Sequence, residues 1–294
     1  MSSKVFIITG ASKGIGAAIT RYLLNQSHKV VITARSSEPL EGLKKSHPEQ
    51  VQFIAGDIVE PQLPSKLVDL AVSSFGKVDG LVINHGMLAP KKFADTTLEE
   101  WRKIYDINVF SGIALAQAAI AELRKSKGCI VWVSSGAAAK QYAAWSSYGS
   151  SKAVYNSVSA HIALEEPDIT SVAIAPGRVD TEMQGVLRSE GQSSMNKAQY
   201  DSFVEAKEKG ILLKPEQPGN VMAKFVADPL KELSGKFFSY VLHNILRHKR
   251  LTTVQMELTR GRGIPRIGSS LGMLETRTWI SQAMLALCLC RWCK

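Results

Sequence analysis

Seven short apolar runs constrain this chain more than any other feature, because each is continuous rather than alternating and each has the length of a β-strand. They fall at 4–9, 29–34, 51–55, 80–84, 129–134, 170–175 and 236–240. A strand apolar on both faces is buried on both faces, as in a parallel sheet covered by helices. Amphipathic stretches suited to helices separate the runs, near 14–25, 62–75, 97–105, 110–125, 146–165 and 216–227. The helix after Thr97 opens with a capping box, Thr97 to Glu100, in which hydroxyl and carboxylate satisfy each other's free amides. Strand and helix in repeated alternation give a doubly wound α/β fold with a parallel sheet, and ligands in such folds bind at the carboxyl ends of the strands.

Length and composition agree with this. A chain of 294 residues with 45% apolar side chains buries a sizeable core in one or two domains. The short apolar run after Met1–Lys4 is no secretory leader, and we expect no membrane span and a cytoplasmic protein. The formal charge of +10 points to an anionic partner only until its placement is considered. Residues 241–294 hold nine Lys and Arg against two acids, so the basic balance belongs mainly to that stretch. The first 240 residues interleave no basic patch with stacking aromatics, which argues against nucleic acid.

Directly after the first run comes Thr9-Gly10-Ala11-Ser12-Lys13-Gly14-Ile15-Gly16, opening a helix at about Gly14. Glycines there permit a tight turn and let backbone amides approach a pyrophosphate at the positive end of the helix dipole. At the end of the second run, an acid would bind ribose hydroxyls and a base would accept a 2′-phosphate. The residues are Arg35 and Ser36, and Lys13 in the loop adds a second cation, which together favour NADPH over NADH.

Further along stand Asn84-His85-Gly86, Asn108, Ser135, Tyr148-Gly149-Ser150-Ser151-Lys152 and Pro176-Gly177. In order and spacing these residues and the glycine loop resemble the short-chain dehydrogenase/reductase family over about residues 4–240. The resemblance implies a Rossmann-type, seven-stranded parallel sheet and a nicotinamide-dependent oxidoreductase without a metal. Reduction of a ketone needs hydride at carbon and a proton at oxygen, and a free tyrosine, with a pKa of about 10, is a weak acid for that. Tyr148 and Lys152 share a helix face, and the ammonium is expected to pull the tyrosine downward and make it the general acid. Ser135 would hold the carbonyl oxygen, while by resemblance Lys152 also reaches the nicotinamide ribose. Asn108 matches the asparagine that holds a water linking the lysine to solvent; a helix-start cap is its plainer reading. By resemblance Asp57 contacts the adenine, Asn84 and Gly86 wall the cofactor, and Val179 and Thr181 orient the nicotinamide carboxamide. His85 departs from the usual Asn-Ala-Gly, and we expect a supporting rather than a catalytic histidine.

The stretch Pro176–Gln184 is similar to the sepiapterin reductase branch and to fungal benzil reductases. A lid at about 183–210 carries Met183, Met195, Tyr200 and Phe203, joined by Tyr142 and Trp145, which would suit a bulky ketone or 1,2-diketone. No acid follows the last run until Glu257, which counts against a pterin substrate. The family implies a homodimer or homotetramer through the helices near 110–125 and 146–165. Residues 241–294 hold three of the four cysteines and little periodicity. We expect a poorly ordered tail of unassigned role there, either a genuine functional tail or the product of a shifted or read-through frame. The competing readings are an NAD-linked alcohol dehydrogenase and a catalytically silent NADP(H)-sensing protein.

Overall fold

The computed structural model describes residues 3–240, and the expectations for 241–294 lie outside the described residues. The chain runs β1 (Val5–Thr9), α1 (Gly14–Asn25), β2 (Lys29–Ala34), α2 (Ser37–Ser46), β3 (Val51–Ala55), α3 (Leu63–Phe75) and β4 (Gly80–Ile83). It continues through α4 (Leu98–Tyr105), a π turn (Asp106–Phe110), α5 (Ser111–Ser126), β5 (Cys129–Val133), α6 (Ser146–Glu165) and β6 (Thr170–Ala175). Then come α7 (Glu182–Glu190), α8 (Lys197–Glu208), α9 (Glu216–Ala227) and β7 (Phe237–Ser239). The strands form one parallel sheet in the order β3-β2-β1-β4-β5-β6-β7.

Both faces of the sheet are dry, as the continuous apolar runs require. Phe6, Ile8, Val30, Ile32 and Val131 face α1 and α9 through Ile19, Leu23, Met222 and Val226. Val5, Ile7, Val31, Leu81 and Trp132 face the other way, onto Leu67 and Ala71 of α3, Leu115 and Ala119 of α5, and Tyr155 of α6. Successive side chains of one strand therefore enter different cores, the consequence of a two-residue repeat.

Helix α4, the π turn and α5 run together from Leu98 to Ser126, 29 residues apolar enough by length and composition to cross a membrane. The expectation that nothing approaches such a span is corrected here. The apolarity has a use inside the fold, since Leu115, Ala116, Ala119 and Leu123 pack into the core of the sheet.

The strand order reverses direction between β1, which continues to β2, and β4, which continues to β5. A crevice opens outside the carboxyl ends of strands at such a reversal, and the site lies there.

Candidate active site

A cleft of about 800 Å³ occupies that crevice. Its floor is the turn from β1 into α1, where Gly10 and Gly14 adopt φ of +63° and +56°. Gly16 lies behind the turn, where an added Cβ would stand 2.2 Å from the Gly10 carbonyl oxygen. Gly16 therefore lets α1 close onto the loop, whereas Gly10, Ser12, Lys13, Gly14 and Ile15 line the cleft itself. Asn84 holds the loop from the end of β4, its Nδ2 donating to the carbonyls of Thr9 at 3.0 Å and Gly10 at 3.2 Å. A Cβ on Gly10 would meet that same amide at 2.9 Å, so only glycine allows the approach.

Arg35 and Ser36 line the cleft beyond β2, and Asp57 lines it beyond β3. Asp57 Oδ1 also accepts from the Val59 amide at 3.3 Å, so it shapes its own turn as well. Gly86, Pro176 and Thr181 line the opposite wall. Val179 is buried behind that wall and bridges to Leu213, and Gly177 turns the chain at φ +85°. Lys103, Ile107, Ser134, Glu182 and Pro215 also line the cleft, unanticipated from sequence. Only proximity in space marks Lys103 and Pro215, whereas Ser134 ends the fifth apolar run, Ile107 precedes Asn108 and Glu182 lies in the stretch Pro176–Gln184. The glycine turn, the volume and the cation Arg35 at the β2 end fit a dinucleotide with its pyrophosphate at the α1 amino end.

Tyr148 and Lys152 stand one turn apart on α6 and both reach the cleft. Burial pushes the Tyr148 hydroxyl upward from its usual pKa, and the Ser135 hydroxyl hydrogen-bonded to it pulls the other way. The expectation that Lys152 lowers Tyr148 is therefore corrected. Lys152 is itself buried, which lowers its pKa from 10.5 to about 7, and its Nζ donates to the Val133 carbonyl at 2.9 Å. The charge of Lys152 is not among the causes that set the tyrosine. Ser135, just past β5, accepts from the Ala137 amide at 3.1 Å.

Asn108 sits inside the π turn, not at a helix start, so the capping reading does not apply. Its Oδ1 accepts from the Met87 amide at 2.8 Å, and its Nδ2 donates to the Met87 carbonyl and to Ser151 Oγ. It thereby ties the helix to the strand-end segment and to α6, behind Lys152. A Cβ on Gly86 would meet both Asn108 Oδ1 and Lys152 Nζ at 3.3 Å, which places these groups against one wall.

His85 stands between the two sides of that wall. Its Nδ1 lies 2.7 Å from Thr9 Oγ1 and its Nε2 2.8 Å from Ser111 Oγ, which in turn donates to the Ile107 carbonyl at 2.7 Å. Burial, aided by the charge of Lys152, lowers its pKa to about 3, so the ring is a neutral strut.

A family model described as short chain dehydrogenase matches residues 4–192. The chain belongs to that family. It is 34% identical over 251 residues to a benzil reductase ((S)-benzoin forming) of Saccharomyces cerevisiae, covering 81% of this chain and 95% of the relative. A crystal structure of a short-chain dehydrogenase/reductase from Saccharomyces cerevisiae matches with 38% identity and a TM-score of 0.79, over 81% of this chain and 96% of that one. A second structure, described as a cytoplasmic protein with unknown function from the same yeast, matches at 37% identity and a TM-score of 0.70, over 81% and 96%. The chain is thus an oxidoreductase on a short-chain dehydrogenase fold that takes a nicotinamide cofactor and a small-molecule substrate.

The aromatic residues of the lid behave differently from expectation. Trp145 stacks on Phe203 at 5.4 Å between ring centroids and sets its edge on Tyr148 at 5.8 Å. Together with Tyr142, Leu187, Met195 and Tyr200 they form a small core of their own, under α7 and α8. Of the lid residues expected from sequence, Met183 does line the cleft, with Met87, Leu88 and Val186, and Leu88 and Met183 also pack on this small core.

Proposed function

We propose that the protein is an NADPH-dependent carbonyl reductase acting on a ketone or a 1,2-diketone of the benzil type. The observation that carries this reading is that Tyr148 and Lys152 open onto the same cleft as the glycine turn and Arg35. The reduced cofactor, when bound, supplies the hydride. Tyr148 gives its proton to the developing alkoxide, and Ser135 donates a hydrogen bond to the same oxygen. Lys152, titrating near 7, replaces the proton on Tyr148 and holds the ribose, with Asn108 fixing the wall behind it. Gly10, Ser12, Gly14 and Ile15 take the pyrophosphate side, with Gly16 keeping the loop closed and Lys13 serving the 2′-phosphate beside Arg35. Arg35 and Ser36 take the 2′-phosphate, Asp57 the adenine, and Asn84, Gly86, Pro176, Gly177, Val179 and Thr181 the nicotinamide end. Similarity to a benzil reductase and the apolar end of the cleft at Leu88, Met183 and Val186 support a bulky dicarbonyl.

The test is oxidation of NADPH, with NADH in parallel, against benzil, other 1,2-diketones, sepiapterin and simple ketones. Turnover with NADPH that falls by about 10²–10⁴ in Tyr148→Phe, with cofactor affinity kept, is expected. NADPH binding with no carbonyl reduced would favour the silent sensor instead, and better use of NADH would favour the NAD-linked dehydrogenase.

We also assign the protein to the cytoplasm as a homodimer or homotetramer. The yeast structure described as cytoplasmic supports the first. Large apolar side chains exposed on the pairing helices support the second, with Phe110 at 57% and Leu164 at 80% exposure. Sedimentation of the purified protein as a monomer would refute the pairing.

A further inference from the structure

Lys13 was read from sequence as a second cation for the 2′-phosphate, yet its ammonium is held by the carboxylate of Glu182, in the first turn of α7. Both residues line the cleft, 169 positions apart in the chain. The two segments also touch directly, since a Cβ on Gly14 would lie 3.3 Å from Thr181 Cγ2. On its other side the glycine loop leans on the end of β2, where the Ala11 amide donates to the Thr33 carbonyl at 3.2 Å. Lys13 and Arg35 thus each stand two residues beyond one backbone contact, while Lys13 also reaches Glu182 on α7. Arg35 has no carboxylate partner among the described residues.

We propose that Glu182 is a cofactor-selectivity residue, which engages Lys13 and so withholds one of two cations from the 2′-phosphate. The inference rests on the NADPH reading above and adds to it a brake supplied by α7. The 2′-phosphate carries the charge that separates the two cofactors, while the pyrophosphate is common to both. A carboxylate that occupies Lys13 therefore weakens NADPH more than NADH. With the pair's side chains 62% and 71% exposed, water screens it, so the effect is modest. An exposed pair of this kind accounts for about a three- to fivefold change in relative affinity.

The experiment is direct binding of NADPH and of NADH, by nicotinamide fluorescence or calorimetry, to the full chain and to Glu182→Gln, Lys13→Met and the double variant. The ratio of the NADH to the NADPH dissociation constant should rise about three- to fivefold in Glu182→Gln. It should return to the Lys13→Met value in the double variant, as a cycle of two coupled residues requires. An unchanged or lowered ratio in Glu182→Gln, or the same rise when Lys13 is absent, would overturn the proposal. The unsubstituted chain answers a separate question: if it prefers NADH, the NADPH reading falls, while a Lys13-dependent rise on Glu182→Gln still supports the role given to Glu182.

Discussion

Replacing Lys152 by methionine should abolish turnover and yet make the folded protein more stable at mildly acid and neutral pH. Lys152 is only 3% exposed, and its pKa falls from 10.5 to about 7 through burial. That depression corresponds to about 5 kcal/mol of cost for the charged form in the folded state. The folded pKa lies below the unfolded one, so below about pH 7 both states are protonated and the whole cost is present. As pH rises from 7 towards 10.5 the unfolded chain holds more protons than the folded one, and stability recovers by about 1.4 kcal/mol per unit. Methionine removes the charge at similar length but leaves the Val133 carbonyl, which Lys152 Nζ reaches at 2.9 Å, without its donor. An unpaired buried acceptor costs about 1–3 kcal/mol. The variant should therefore be about 2–4 kcal/mol more stable at about pH 6, with the advantage nearly gone by about pH 9. Urea unfolding of the cofactor-free protein at both pH values measures it, with the slopes compared to check that the unfolded states match. A variant less stable than the parent at the lower pH, or a gap that does not move with pH, would refute the reasoning. The expected trade is the usual one at a site where a buried charge is kept for chemistry.

Arg35→Ser should weaken NADPH by about ten- to a hundredfold, the worth of a charge-assisted hydrogen bond, and leave NADH nearly unchanged; comparable losses for both would contradict the assignment to the 2′-phosphate. Gly16→Ala should cost about 2–3 kcal/mol in denaturant unfolding and impair cofactor binding, because its methyl would stand 2.2 Å from the fixed carbonyl of Gly10. His85, with its pKa lowered to about 3, should keep neutral-ring NMR shifts from about pH 8 down to about pH 5. Since the unfolded histidine titrates at about 6.5, His85 withdraws stability as pH falls from there towards 3; a ring protonating near 6 would show that the strut is not closed.

The helices near 14–25 and 216–227 were legible to the residue because their apolar stripes are local. That at 146–165, whose buried face carries Ser147, Ser151, Lys152 and Ser159, has no such stripe and was marked by the Tyr148–Lys152 pair in its first turns. Helix α2 went unread although Ser36 stands at its N-cap with Pro39 in its first turn, and α8 although Asn196 caps it by accepting from Ala198 N at 3.0 Å. Both are polar on average, with Leu40 the buried residue of α2, so too few apolar residues mark a buried face there. The π turn was read as a break between two helices, since a single inserted residue leaves no mark in composition. Among the residues of the cleft, motif members such as Gly10, Tyr148 and Lys152 could be located in advance, whereas Lys103 and Pro215 could not.

The sequence alone determined the succession of the strands and of most of the helices between them, the burial of the sheet on both faces, and the two local devices at its carboxyl edge: the glycine turn and the Tyr148–Lys152 helix. These are properties of neighbours along the chain, where apolar period and backbone freedom decide the conformation. Only the tertiary structure decided that Lys13 meets Glu182, that His85 is neutral between Thr9 and Ser111, and that Lys152 titrates near 7. It also decided that Trp145 and Phe203 pack on each other while Met183 faces the cleft. Each of those outcomes depends on distance to a residue far away in sequence, or on how much water is excluded. Neither quantity is fixed until the sheet has closed.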